Sequence, residues 1–240
     1  MSRVAYSRIV LPVDVPSMAE AKALMRGLVG RVGVLKIGLQ LFIAEGPDAV
    51  RWARDLGVDV FLDLKLHDIP NTVARAVESA DRLGARFLTV HAAGGSKMLK
   101  AAAEAASRVQ LLAVTLLTSI SAEQLNTELQ VKGATPNTYV RYVAGVAQSQ
   151  GITGFVCSPK EVATLRGLYP KAALVVPGIR PRPRGSDVPP LDDQARTATP
   201  GEAFKNGASY IVVGRPITKA EDPAMAASAI ALEIEPYLRG

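Results

Sequence analysis

The run Asp63-Leu64-Lys65-Leu66-His67-Asp68-Ile69-Pro70-Asn71-Thr72 sets a carboxylate, an ammonium and a second carboxylate along one short track. An ammonium kept charged by neighbouring carboxylates can stabilise negative charge that develops beside it and then deliver a proton to it. The stretch leading in, Val58 to Leu62, is strand-like, and residues two apart in a strand point to the same face. Asp63 and Lys65 therefore share a face. Asp68 lies just past the strand, and Pro70 suits the first turn of a helix, where a missing N–H costs nothing. The charges thus stand where a strand hands over to a helix. A surface ion pair is the plainer alternative, but surface strands rarely read Val-Phe-Leu-Asp-Leu-Lys-Leu, and burying such charges unpaired is costly.

The elements that must position these groups alternate along the chain. Apolar strands are expected at Ile9 to Val15, Val34 to Gly38, Val60 to Leu66, Phe87 to His91, Leu111 to Leu117, Phe155 to Ser158, Ala173 to Pro177 and Tyr210 to Val213. Helical patterns follow them, among them Met18 to Leu28 behind a Ser17 cap, Thr72 to Leu83, Tyr139 to Gln148 and Pro223 to Leu238. Eight such units with no break in composition predict an α/β fold, a (β/α)8 TIM barrel forming a single domain over residues 1–240. An open doubly wound sheet is the alternative. In a barrel, functional groups come from the C-terminal ends of the strands and the loops beyond them. Asp14, Asp63, Lys65 and His91 fall at such ends and Lys36 sits in strand two, so all could converge on one mouth, and the charges are expected there rather than at strand starts.

The late part of the chain offers an anion site. Val212-Val213-Gly214-Arg215-Pro216 joins a strand to a loop through glycine, where backbone can approach a ligand closely and Arg215 adds a fork of donors. A strand-ending turn would read the same way. Pro177-Gly178-Ile179-Arg180 opens a Pro- and Arg-rich segment running to about Thr199, long enough for a binding loop from which Arg180 and Gln194 could grip a phosphate.

Composition narrows the partners. The net charge is +6, yet the basic residues are scattered with no basic run interleaved with aromatics, which suits small anions better than nucleic acid. Cys157 is the only cysteine, so no intramolecular disulfide or CxxC metal site can form, and a reducing cytoplasm is expected. No signal peptide or membrane span is read in the chain. There is neither a GxxxxGK[ST] loop nor a GxGxxG fingerprint. His67 and His91 are too few for a usual zinc site; His91 is expected as a hydrogen-bonded barrel residue, His67 as a packing or capping one, and Cys157 as a small buried hydrophobe.

With Val13-Asp14, Lys36, the Asp63–Thr72 block, Val114-Thr115-Leu116-Leu117-Thr118-Ser119, Pro177-Gly178-Ile179-Arg180, Asp193-Gln194 and Gly214-Arg215-Pro216 in place, the chain resembles the bacterial-type orotidine 5'-phosphate decarboxylase family along nearly its whole length. The resemblance implies decarboxylation of orotidine 5'-monophosphate to uridine 5'-monophosphate in pyrimidine biosynthesis, with no cofactor and no metal. It makes Lys65 the proton donor to C6, held between Asp63 and Asp68 in an alternating network with Lys36. It implies a homodimer in which Asp68, Ile69 and Thr72 reach the neighbouring subunit's site. Asp14 and Lys36 would hold ribose hydroxyls, Thr118 and Ser158 would lie near ribose or pyrimidine, and Arg180, Gln194, Gly214 and Arg215 would serve the phosphate. Two rivals follow. A sister sugar-phosphate decarboxylase using magnesium would want an acidic ligand on strand two, where Lys36 stands; a basic nucleic-acid-binding barrel is suggested only by the charge.

Overall fold

The computed structural model describes residues 3–182 and 197–238. Its strands β1 (Ile9–Pro12), β2 (Val34–Gly38), β3 (Asp59–Leu66), β4 (Phe87–His91), β5 (Gln110–Val114), β6 (Gly154–Val156), β7 (Ala173–Val176) and β8 (Tyr210–Val212) pair in parallel, in chain order. Ile9↔Ile211 and Val10↔Val212 join β1 to β8 and close the ring, so the sheet is a TIM barrel and not an open sheet. Short strands buried on both faces are what a parallel sheet jacketed by helices requires. Val10, Val34, Phe61, Phe87, Leu112, Val175, Tyr210 and Val212 form a cluster inside the barrel, separate from the larger core between strands and helices. Phe87 meets Phe61 and Tyr210 edge-on, at 6.2 and 5.2 Å between ring centres, which makes the interior a packed core.

Local signals set the helix ends. Ser17 and Asp222 accept backbone N–H bonds at the starts of Met18–Leu24 and Pro223–Ile234, and Pro70 opens Pro70–Leu83, which Gly84 closes in the left-handed region at φ 77°. Several expected bounds contract. β1 stops at Pro12, and β5 stops at Val114 as its partner β6 ends at Val156; Thr115 still donates its N–H to the Val156 carbonyl at 3.3 Å, and Leu116 and Leu117 lie beyond the strand. Helices Leu39–Glu45, Pro200–Lys205 and Arg215–Thr218 were not anticipated. The second carries a Thr199/Glu202 capping box that is legible in sequence. One expectation is corrected. Charges do stand at strand starts: Asp59 opens β3 and pairs with Arg86, whose guanidinium lies over the rings of Phe87 and Tyr210. The lower end of the barrel also meets water, and these groups cover its apolar floor.

Asp81, near the end of helix Pro70–Leu83, ties that helix to the chain entering β5. Its Oδ1 accepts the Arg108 and Val109 amides at 2.7 and 2.6 Å. Burial pushes its carboxyl up, but the two amides, joined by the Arg108 guanidinium, outweigh that and hold it below the usual carboxylate range. A depressed carboxylate contributes stability that is present above its unfolded value, about 3.9, and lost as pH falls through the folded value. Asp81→Ala should therefore cost about 1–3 kcal/mol at neutral pH. In guanidinium chloride melts, Asp81→Asn should lose less stability than the native chain between about pH 5 and pH 2.

Candidate active site

Alternation along the strands builds the site one layer above the barrel core. Val34 and Phe61 point into the barrel, so Lys36 and Asp63, two residues further on, point the same way at its C-terminal mouth. The same step from Phe87 gives Thr89, from Leu112 gives Val114, from Val175 gives Pro177, and from Tyr210 gives Val212. The mouth is thereby divided. Strands β2 to β4 supply Lys36, Asp63 and Thr89, while β5 to β8 supply Val114, Val156, Pro177 and Val212. A cavity of about 160 Å³ lies between the two arcs, and Phe61, Lys65, Leu116, Leu117, Thr118 and Cys157 complete its wall. One side can hold charge and the other can take the face of a flat ring.

The charges alternate as Asp14, Lys36, Asp63, Lys65. Lys36 Nζ lies 3.0 Å from Asp14 Oδ1 and 3.6 Å from Asp63 Oδ2, and Lys65 Nζ lies 2.9 Å from the same Asp63 oxygen. Asp63 Oδ1 accepts the Thr89 hydroxyl at 2.9 Å. Asp63 is buried, so a carboxylate there needs its cations. Gly38 is part of this arrangement, since a Cβ there would stand 2.8 Å from Asp14 Oδ1 and 3.1 Å from Lys36 Nζ.

Lys65 reaches Asp63 by a route that strand alternation does not describe. Its backbone sits in the left-handed region at φ 50°. Around it the β3–β4 register slips from Leu62↔Leu88 to Leu66↔Val90, four residues of β3 against two of β4. Such bulges re-aim side chains beside functional sites. The displaced Lys65 N–H donates to Thr89 Oγ1 at 2.8 Å.

The other expected residues fall into three groups. Asp68, Ile69 and Thr72 are exposed; the Asp68 carboxylate accepts the Ile69 N–H at 2.6 Å, and the Ile69 side chain is 67% exposed. Thr118 lines the cavity, and Ser158, fully buried beside Cys157, donates its hydroxyl to Glu161. Ser158 is not among the residues that line the cavity. Gly214 caps the short helix Arg215–Thr218, and a Cβ there would stand 3.0 Å from Pro12 Cγ. Arg215 is exposed, and Arg180 donates to the Ile179 carbonyl at 2.9 Å while Ile179 bridges to Ala198. Gln194 lies outside the described residues.

Sequence reasoning missed Thr89, Gly38 and Glu161. Thr89 and Gly38 were findable by counting two residues on from an inward-facing strand position; Glu161 carried no such signal. The reading of His91 is corrected. Its Nδ1 is buried with no hydrogen-bond partner among the described residues, and its ring stacks on His67 at 5.2 Å because the β3 bulge carries His67 over the end of β4. Burial, then the charges of His67 and Lys65, hold His91 below its ordinary value near 6.5. Burial also drives the Cys157 thiol far up, leaving it inert as a nucleophile.

A family model described as "Orotidine 5'-phosphate decarboxylase / HUMPS family" matches residues 7–230. The chain is 51% identical over 226 residues to an orotidine 5'-phosphate decarboxylase of Anaeromyxobacter sp. (strain K), covering 93% of this chain and 96% of that one. To the orotidine 5'-phosphate decarboxylase of Opitutus terrae it is 47% identical over 232 residues, 95% of this chain and 98% of the relative. The crystal structure of orotidine 5'-phosphate decarboxylase from Lactobacillus acidophilus superposes with a TM-score of 0.81 at 36% identity, covering 95% of this chain and 98% of that one.

The two histidines are the only ones in the chain, so both can be followed by NMR. His91 should titrate below about 6.5, and His67→Gln should move its midpoint up. Because the folded value is depressed, His91 adds stability above about pH 6.5 that is lost as pH falls toward the folded value. A His91 midpoint at or above the ordinary value would contradict the burial and charge just described.

Proposed function

Because the chain belongs to the orotidine 5'-phosphate decarboxylase / HUMPS family, we propose that it decarboxylates orotidine 5'-monophosphate to uridine 5'-monophosphate in pyrimidine biosynthesis, with Lys65 protonating C6. The observation that carries the residue assignment is the Lys65 ammonium, 2.9 Å from a buried carboxylate and facing an apolar arc. In this reading residues 1–240 act as one decarboxylase domain.

Loss of CO2 from C6 of the orotate ring leaves a vinyl carbanion that no adjacent carbonyl delocalises. Stabilisation must then come from fixed charge. The pyrimidine lies against Leu116, Leu117, Val156, Pro177 and Val212, and its carboxylate points toward Asp63 and Lys65. As the C6–C bond breaks, the electron pair stays on C6 beside the Lys65 ammonium, which delivers its proton there. Asp63 and Asp68 keep that ammonium charged and hold it in place, and Asp63 adds repulsion to the substrate carboxylate. One charge pair at about 4 Å with an effective dielectric near 20 is worth about 4 kcal/mol. Enzymes lower barriers by about 8–23 kcal/mol, so a single contact is insufficient. Binding of the distant phosphate, by Arg215, Gly214, Arg180 and Gln194, supplies energy that orders the reacting end. Asp14 and Lys36 take the ribose hydroxyls, and Thr118 and Ser158 orient ribose and ring.

The metal-assisted sister reaction fits less well. A cation bound by Asp14 and Asp63 would need the space that the Lys36 ammonium fills between them. The exposed Asp68, Ile69 and Thr72 suit delivery into a neighbouring subunit, making the working form a homodimer with shared sites.

Ultraviolet absorbance of the protein with orotidine 5'-monophosphate, EDTA present, should show the orotate band disappear. Lys65→Ala should slow this at least about a thousandfold with the fold retained. A Lys65→Ala chain within tenfold of native would remove the proton donor, and turnover that demanded added Mg²⁺ would favour the sister reaction. Mixed Asp63→Ala and Asp68→Ala chains should recover about a quarter of native activity, since each hybrid dimer holds one intact site. No recovery despite demonstrated subunit exchange would exclude shared sites.

A further inference from the structure

Thr89 is fully buried at the third position of β4, in the charged arc of the mouth, and its hydroxyl both donates and accepts. Oγ1 donates to Asp63 Oδ1 at 2.9 Å and accepts the Lys65 backbone N–H at 2.8 Å. The two bonds hold the two ends of one ion pair. Asp63 is left with Oδ2 for the ammonium groups, and the Lys65 amide, which the bulge takes out of the strand ladder, regains a partner without leaving the left-handed conformation that L side chains rarely adopt. We propose that Thr89 is a positioning residue that fixes the angle and separation of the Lys65–Asp63 pair, acting through both members without touching substrate. The inference rests on the decarboxylase reading for its kinetic consequence but not for its geometry.

A side chain that merely fills the layer would serve as well as valine, which has the shape of threonine and no hydroxyl. Serine keeps the hydroxyl and loses the methyl. The two roles therefore predict opposite rankings. If Thr89 positions the pair, Thr89→Val should lower kcat about 10–100-fold with KM within about threefold, because a misplacement near 1 Å costs rate more than binding. Thr89→Ser should stay within about threefold of native in both. If it only packs, Thr89→Ser should be the impaired variant and Thr89→Val the sound one, which overturns the proposal.

Hydrogen exchange of the Lys65 amide in substrate-free protein gives a readout independent of any reaction. It should quicken at least about tenfold in Thr89→Val, with amides at the start of β3 unchanged, and hold its native rate in Thr89→Ser. An unchanged Lys65 rate in Thr89→Val overturns the proposal even if the native chain proves inactive on orotidine 5'-monophosphate, an outcome that would sink the decarboxylase reading separately. Should Thr89→Val not fold, Thr89→Cys, near threonine in size and weak as donor and acceptor, carries the same expectations.

Discussion

A carboxylate buried in the mouth of an apolar barrel is the constraint from which the rest of the site follows. Asp63 is held there by two ammonium groups on one oxygen and a hydroxyl on the other. Removing any one partner leaves charge incompletely paired where solvent access is small. The lysines are fixed in return. A long, flexible ammonium on an exposed strand would sample many rotamers, but Lys36 is drawn between Asp14 and Asp63, and Lys65 is pinned to Asp63 at its tip and to Thr89 at its amide. Preorganisation of this kind lets fixed charge act on a reaction without rearranging first.

The barrel supports that arrangement by filling the interior beneath it with packed side chains. Phe61, Phe87 and Tyr210 pack the layer beneath, and the groups above cannot sink or turn. Closure also leaves no unpaired edge in the ring, so a disruption of the ladder such as the bulge at Lys65 is carried by intact pairing on the other strands. The strain of a left-handed lysine, about 1–3 kcal/mol, is small beside such a core. It is located at the one residue whose side chain has to be aimed.

Division of the mouth into a charged and an apolar half has a simple origin. From β2 to β8 each strand, or the residue just beyond it, contributes one inward residue to the layer, and consecutive strands are neighbours, so β2 to β4 form one arc and β5 to β8 the other. A planar, partly charged molecule is accommodated by placing its reacting edge toward Lys36, Asp63 and Lys65 and its face along Val156, Pro177 and Val212. The pairing of an electrostatic wall with an apolar one fits a reaction in which negative charge must appear on a ring carbon.

Much of this was legible in the residues. Eight apolar runs separated by helical patterns pointed to a parallel sheet covered on both faces, and β2 and β4 fell where their periodicity ended, but the choice of a closed barrel over an open sheet came from the pairing of β1 with β8. Asp63, Lys65 and Lys36 stood out because charge inside an apolar strand has to be paired. The Asp63–Thr72 block, by its density of charge at a strand-to-helix junction, pointed to the chemistry before any distance was known. What the sequence could not decide is how Lys65 gets to Asp63. Strand alternation predicted the contact, but the chain makes it through a bulge and a left-handed residue, and a bulge depends on how many residues the neighbouring strand sets opposite. The role of Thr89 was hidden for the same reason, although its inward-facing place could be counted from Phe87. An isolated threonine in Phe87–His91 reads as an ordinary β-branched strand residue, and its role exists only because β4 lies beside β3 with Asp63 and the Lys65 amide within reach of one hydroxyl. Residue type and spacing thus determined which charges must be buried together, while register across neighbouring strands, a property of the folded sheet alone, decided what holds them in line.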